Sequence, residues 1–231
     1  MKKAAGITCI LTVLFIISAA GIWAQEEPRP PGDQTEQLGE VNFPVSCNTA
    51  AQKEFNRAMS LFHSFWFDPA KKSFTQVLQH DPQCGMAYWG IAIMSMGNPL
   101  AWPPNPIALK AGAAASAESQ RVGAQSKRES DYIAALAVFF KDWETTEHRP
   151  RAVALEAAME SLAARYPDDV EARILYALFL NVTALPTDTT FANQLKAAAH
   201  LEPLFTQYPN HPGIAHYLIP TYDSAELADN R

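Results

Sequence analysis

Apolar residues recur every three or four positions along most of the chain, and prolines cut that pattern into helix-length pieces. Phe55, Ala58, Met59, Phe62, Phe65 and Trp66 fall on one face of a first helix. Asp68-Pro69 reads as a restart, because Asp is a good N-cap and Pro is tolerated at the first helical position, whose N–H has no partner within the helix. The second helix carries Ala70, Phe74 and Val77 inward and stops at Asp81-Pro82. The stretch 55–82 thus predicts two amphipathic helices joined by a tight turn.

The second-helix pattern returns twice. Steps of four, three and five residues link Ala70, Phe74, Val77 and Pro82, then Leu155, Met159, Leu162 and Pro167, then Ala197, Leu201, Leu204 and Pro209. After each proline another helix is expected, with inward positions nine and ten residues on: Ile91 and Ala92, Tyr176 and Ala177, Leu218 and Ile219. Between them the pattern places a helix from about Met86 to Met96 closed by Gly97, an extended loop from Asn98 to Pro106 whose Trp102 either packs on the repeats as a lid or stands exposed as a binding group, with packing favoured, and an Ala-rich helix from Ile107 to about Arg121. Ser126 with Glu129 matches a capping box ahead of the next helix, Pro150 opens the helix Arg151–Arg165, and Asp168-Asp169 with Glu171 reads as a further capping arrangement.

The stop prolines lie 85 and 42 residues apart, so one unit spans about 42 residues. This register resembles the tetratricopeptide repeat (TPR), lengthened in its inter-helix segments. The fold class that follows is all-α: a right-handed α-solenoid of stacked antiparallel helix pairs, about four pairs with one leftover helix. A helical bundle with proline stops is the plainer alternative.

Ahead of the repeats the composition changes. Residues 1–24 have a basic start at Lys2 and Lys3, an apolar run from Ile7 to Ile17 and small residues before a polar stretch, which is the pattern of a secretory signal peptide cut after Ala24, or alternatively after Gly21. The rival is an uncleaved anchor helix. Residues 25–46 are rich in Pro and Glu and read as a flexible leader, leaving 47–231 as the helical repeat domain. The chain carries a net charge of -6, and loss of Lys2 and Lys3 makes it more acidic. The one small basic group, Lys127-Arg128, is followed at once by Glu129, so nucleic acid is excluded as a partner. The expected location is periplasmic or secreted, with membrane contact only through an uncleaved signal segment.

Cys47 precedes the first helix and Cys84 follows the second. A helix pair folds back on itself, so its ends approach, and in an oxidising compartment a Cys47–Cys84 bond would staple this hairpin. Two free thiols are the alternative; a metal site there lacks further ligands at zinc-like spacing.

Candidate chemistry is sparse. No Gly-x-Ser-x-Gly elbow and no Gly-rich phosphate loop occur, and no carboxylate pair stands out, so no catalytic residue and no cofactor are expected. Of the six histidines, His63, His80, His148, His200, His211 and His216, the last two are five apart, which is not the spacing that puts two ligands on one helix face. His63 reaches them only if the superhelix curls, and no metal ligand is expected. The remaining function is binding on a concave face lined by the first helix of each pair. Phe55, Met59, Phe62, His63, Trp89, Tyr132, Phe139 and Asn181 take those positions, an aromatic and apolar lining suited to a peptide or to another element of the same chain; tight helix packing would use the same residues, so groove and core both stay open.

Beyond the generic repeat, the segments VNFPVSC, FNRAMSLFHSFWFDPAKKSF, MAYWGIAIMSMGNP, ARYPDDVEARILYALFLN, FANQLKAAAHLEPLF and PNHPGIAHYLI resemble a family of exported bacterial TPR proteins, over about residues 41 to 222. The resemblance is to a family of unassigned activity and implies fold and export more than function; the binding reading, a scaffold for a protein or peptide partner, comes from the concave face of the repeat. An alternative is a metal-binding or enzymatic protein whose His-containing site is completed by residues outside this chain. Family members are usually longer; here Pro220 stands where they tend to have His, and the chain ends at Arg231, so a truncated product is expected. Residues 213–231 would then be an uncovered edge, with Pro220 mid-helix, that frays or self-associates.

Overall fold

The structure is a computed structural model that describes residues 37–228; the expected signal segment 1–24, the first part of the expected leader and residues 229–231 lie outside the described residues. Among the described residues there are ten α-helices and no strand: α1 (Thr49–His63), α2 (Phe67–His80), α3 (Gly85–Met94), α4 (Pro106–Val122), α5 (Lys127–Phe140), α6 (His148–Arg165), α7 (Val170–Thr183), α8 (Ala192–Gln207), α9 (Pro212–Tyr222) and the short α10 (Ala225–Ala228). Each helix from α1 to α9 packs on the next. Odd-numbered helices also touch across a helix, α1 on α3, α3 on α5 and α7 on α9. Most important for the site, α1 also packs on α9, so the first helix meets the last full one.

The repeated apolar positions sit where the spacing put them. Ala70, Phe74, Val77, Leu155, Met159, Leu162, Ala197, Leu201 and Leu204 are all buried. The residues before the three stop prolines, Asp81, Tyr166 and Tyr208, are the C-caps of α2, α6 and α8. Ser126 caps α5 by accepting from the Glu129 N–H. Trp102 packs inward, its indole N–H donating to the Met96 carbonyl and its ring against Phe139 at 5.1 Å.

The Cys47–Cys84 disulfide is present, joining the two ends of the first hairpin. Asn48 reinforces the same junction, its N–H donating to Asp81 and its side-chain amide to the His80 carbonyl.

Four expectations need correction. First, α1 ends at His63, and Phe65 turns the chain through a positive φ of 60°. The helical count therefore restarts early: α2 begins at Phe67, and Trp66, expected inside, is 52% exposed. Second, residues 41–45 are not a flexible leader. Val41 and Phe43 are buried, and Phe43 packs on Phe55, Trp89 and Tyr132 at ring-centroid distances of 5.3, 5.9 and 4.9 Å. Alternation of apolar and polar residues over five positions was too short to stand out beside the prolines upstream. Third, α9 is not an uncovered edge. It runs through Pro220 to Tyr222 with Ile214, Tyr217 and Thr221 buried, and Asn181 of α7 donates to the Tyr217 carbonyl and to Thr221. Fourth, Ile219, expected inward, is 64% exposed, because α9 turns Tyr217 toward α1 instead.

Candidate functional site

Closure of α1 on α9 brings together polar side chains that the sequence separates by as many as 154 positions. His63 continues the apolar face of α1 by one step beyond Phe62 and is fully buried. Glu171 lies in the first turn of α7, where the sequence suggested a capping role. That role is taken by Asp169, which accepts from the Ala172 N–H, and the Glu171 side chain turns inward. His211 occupies the N-cap position of α9 without making a side-chain cap bond. Gly213 completes the approach: a Cβ there would lie 2.6 Å from His63 Nδ1, so only glycine lets α9 come this close.

The result is a buried cluster. His63 Nε2 lies 3.0 Å from one oxygen of Glu171, and His211 Nε2 lies 2.9 Å from the other. Tyr217 OH is 2.8 Å from His63 Nδ1. His216 points the other way, its Nδ1 bonding the His63 carbonyl and its ring stacking on Phe65. Side-chain exposure is 0% for His63 and 2% for Glu171. Burial lowers the His63 pKa below its ordinary 6.5 against the pull of Glu171, which keeps the ring neutral. Burial acts to raise Glu171, but the two imidazoles outweigh it and hold the carboxyl at about 2. The cluster is thus an ionised carboxylate gripped by two imidazole N–H groups, and among the described residues neither of its oxygens is hydrogen-bonded to a lysine or arginine. Among the described residues the buried Nδ1 of His211 has no hydrogen-bond partner. One ligand atom from each of His63, Glu171 and His211 can be chosen so that all three lie within 4.8 Å of one another, the dimension of a small-ion site.

Glu171 and His211 form part of the wall of a cleft of about 690 Å³. One side is the chain segment Glu40–Pro44; the other is the start of α7 with Asp168 and Asp169, and Tyr208. Arg128 spans the gap. Its guanidinium binds Asp169 through Nε at 2.6 Å and Nη2 at 3.0 Å, donates from Nη1 to the Pro44 carbonyl, and lies over the rings of Phe43 and Tyr132. A planar cation bound along its edge and packed against two neighbouring rings fixes this segment to the helical body.

The residues expected to line an open concave groove are placed differently. Phe55, Met59, Phe62, Trp89, Tyr132 and Phe139 are all at most 1% exposed, and Asn181 is bound to α9. The inner face is filled by the protein's own parts, with Phe43 on Phe55, Trp89 and Tyr132, and Trp102 on Phe139. Of that set, Tyr132 donates to Asp169 and His63 joins the polar cluster; the approach of His63 to His211, which the sequence made conditional on a curling superhelix, is supplied by the α1–α9 contact. Glu171 was missed because it sat in a plausible cap. The available signal was His63 itself, an ionisable residue on an otherwise apolar face.

Together the fold and site define an all-helical, disulfide-bonded protein with a buried His–Glu–His cluster beneath a surface cleft. Comparison with protein-family models, curated proteins and solved structures finds no match to this chain.

Proposed function

We propose that the protein is an exported interaction scaffold: a right-handed TPR-like solenoid that binds an extended segment of a protein or peptide partner. The carrying observation is how the helices hold residues 40–46. Gln52 accepts from the Val45 N–H and donates to the Phe43 carbonyl, Asn56 accepts from the Phe43 N–H, and the Glu40 N–H donates to the Asn210 carbonyl. Side-chain amides read the main chain while alternate side chains drop into apolar pockets, the chemistry of extended-peptide recognition. Here the occupant is the chain itself, so the partner takes the cleft that remains open alongside it. Glu40 and Asp168 are exposed at that cleft and Tyr208 is half-exposed, which favours a basic segment. Export is supported by the disulfide, which persists in oxidising compartments. No described helix is long and apolar enough to cross a membrane.

The test is a fluorescence-anisotropy titration with extended peptides of matched length, one set rich in Lys and one rich in Glu. Lysine-rich peptides should bind, and Glu40→Lys combined with Asp168→Lys should weaken them at least about tenfold, since both positions are exposed and the fold is untouched. Equal binding of both sets, or no effect of the double variant, rejects this reading.

A further inference from the structure

We propose that His63, Glu171 and His211 form a binding site for one divalent first-row transition ion of the zinc class. This goes beyond partner binding and does not depend on it.

The donor set is the first argument. Two imidazoles and one carboxylate suit zinc and its neighbours, and three protein ligands with a further position open to solvent form a familiar arrangement for such ions. Geometry is the second. Metal–ligand bonds of about 2.0–2.1 Å, at angles from a right angle to tetrahedral, put adjacent donor atoms roughly 2.9–3.4 Å apart. The two nitrogen–oxygen separations, each to a different oxygen of Glu171, are 3.0 and 2.9 Å, and with a single carboxylate oxygen as donor the three ligand atoms lie within 4.8 Å of one another. Small side-chain movements are enough to close the set around an ion.

The hydrogen-bonded arrangement also leaves room for the exchange. Among the described residues His211 Nδ1 is buried without a partner, so the proton that Nε2 donates to Glu171 can be carried on Nδ1 instead, and Nε2 then presents a lone pair without breaking a further bond. His63 is similarly adaptable, because the hydroxyl at its Nδ1 belongs to Tyr217 and can either donate or accept. When Nε2 of His63 holds the ion, its Nδ1–H donates to the Tyr217 oxygen, which places Tyr217 as a positioning residue behind the ligand. Glu171 and His211 also line the cleft, so an ion reaches the buried donors from that side.

The experiment uses mature chain purified from an oxidising compartment, stripped with a chelator and titrated with Zn²⁺, with Co²⁺ as an optical probe. One equivalent should bind per chain, raise the melting temperature of the wild-type protein, and give Co²⁺ absorption bands in the visible. His211→Ala should abolish all three effects, Tyr217→Phe should weaken binding about 10–100-fold while the helical spectrum is retained, and His80→Ala, on the exposed end of α2, should change nothing. The wild-type melting shift keeps the test valid if His211→Ala fails to fold. Stoichiometry well below one with no melting shift in the wild type overturns the proposal, as does binding undiminished in Tyr217→Phe and in a folded His211→Ala.

Discussion

Replacing Phe43 by Ala tests whether the strand ahead of α1 is part of the core. The ring is fully buried and meets Phe55, Trp89 and Tyr132, with the Arg128 guanidinium over its face at 4.5 Å. Removing a buried phenyl ring costs about 3–5 kcal/mol through lost transfer energy and the cavity left behind. The upper half of that range applies here, because edge-on aromatic pairs add about 0.5–1.5 kcal/mol each and the surrounding rings are fixed by their own helices. In a domain of this size each kcal/mol corresponds to about 2–4 °C, so a loss of about 4–5 kcal/mol should lower the melting temperature by roughly 8–20 °C. Chemical denaturation followed by circular dichroism gives the free energy directly, and an unchanged denaturant slope would show that strand and helices unfold together. Phe43→Leu should recover a large part of the loss. A cost below about 1 kcal/mol would refute the reasoning, since it would mean that the helices hold their structure without the strand.

Reducing the Cys47–Cys84 bond, which closes a loop of 37 residues, should cost about 3–4 kcal/mol by the loop-entropy relation; two reactive thiols in unreduced, denatured mature protein would contradict the bond. Acid should destabilise the protein in two stages. Below about pH 6.5 the unfolded chain takes up a proton that His63 refuses in the fold, and below about 4.5 the unfolded chain protonates a glutamate that stays ionised in the fold down to about 2. In both stages the unfolded state binds more protons, so stability falls as pH falls; urea midpoints measured from pH 8 to pH 4 should decrease, and a rise on acidification would refute the assignment.

The sequence by itself determined the helices and their stops. A periodicity of 3.6, proline punctuation and capping residues are local physics, so the three copies of the four-three-five spacing located α2, α6 and α8, and Ser126 located the start of α5. The pairing of Cys47 with Cys84 was legible because a single helical hairpin brings its own ends together. Which face of the helices stays open was not legible. Phe55, Trp89 and Tyr132 have the same spacing whether they line a groove or a core, and only the return of Phe43 across them decided for the core. The His63–Glu171–His211 cluster lay further from view. Its members belong to α1, α7 and the α9 cap, and their meeting depends on small rotations accumulated over every helix between them and on the absence of a side chain at Gly213. No local pattern encodes that sum, so Glu171 read as a cap until the tertiary structure turned it inward.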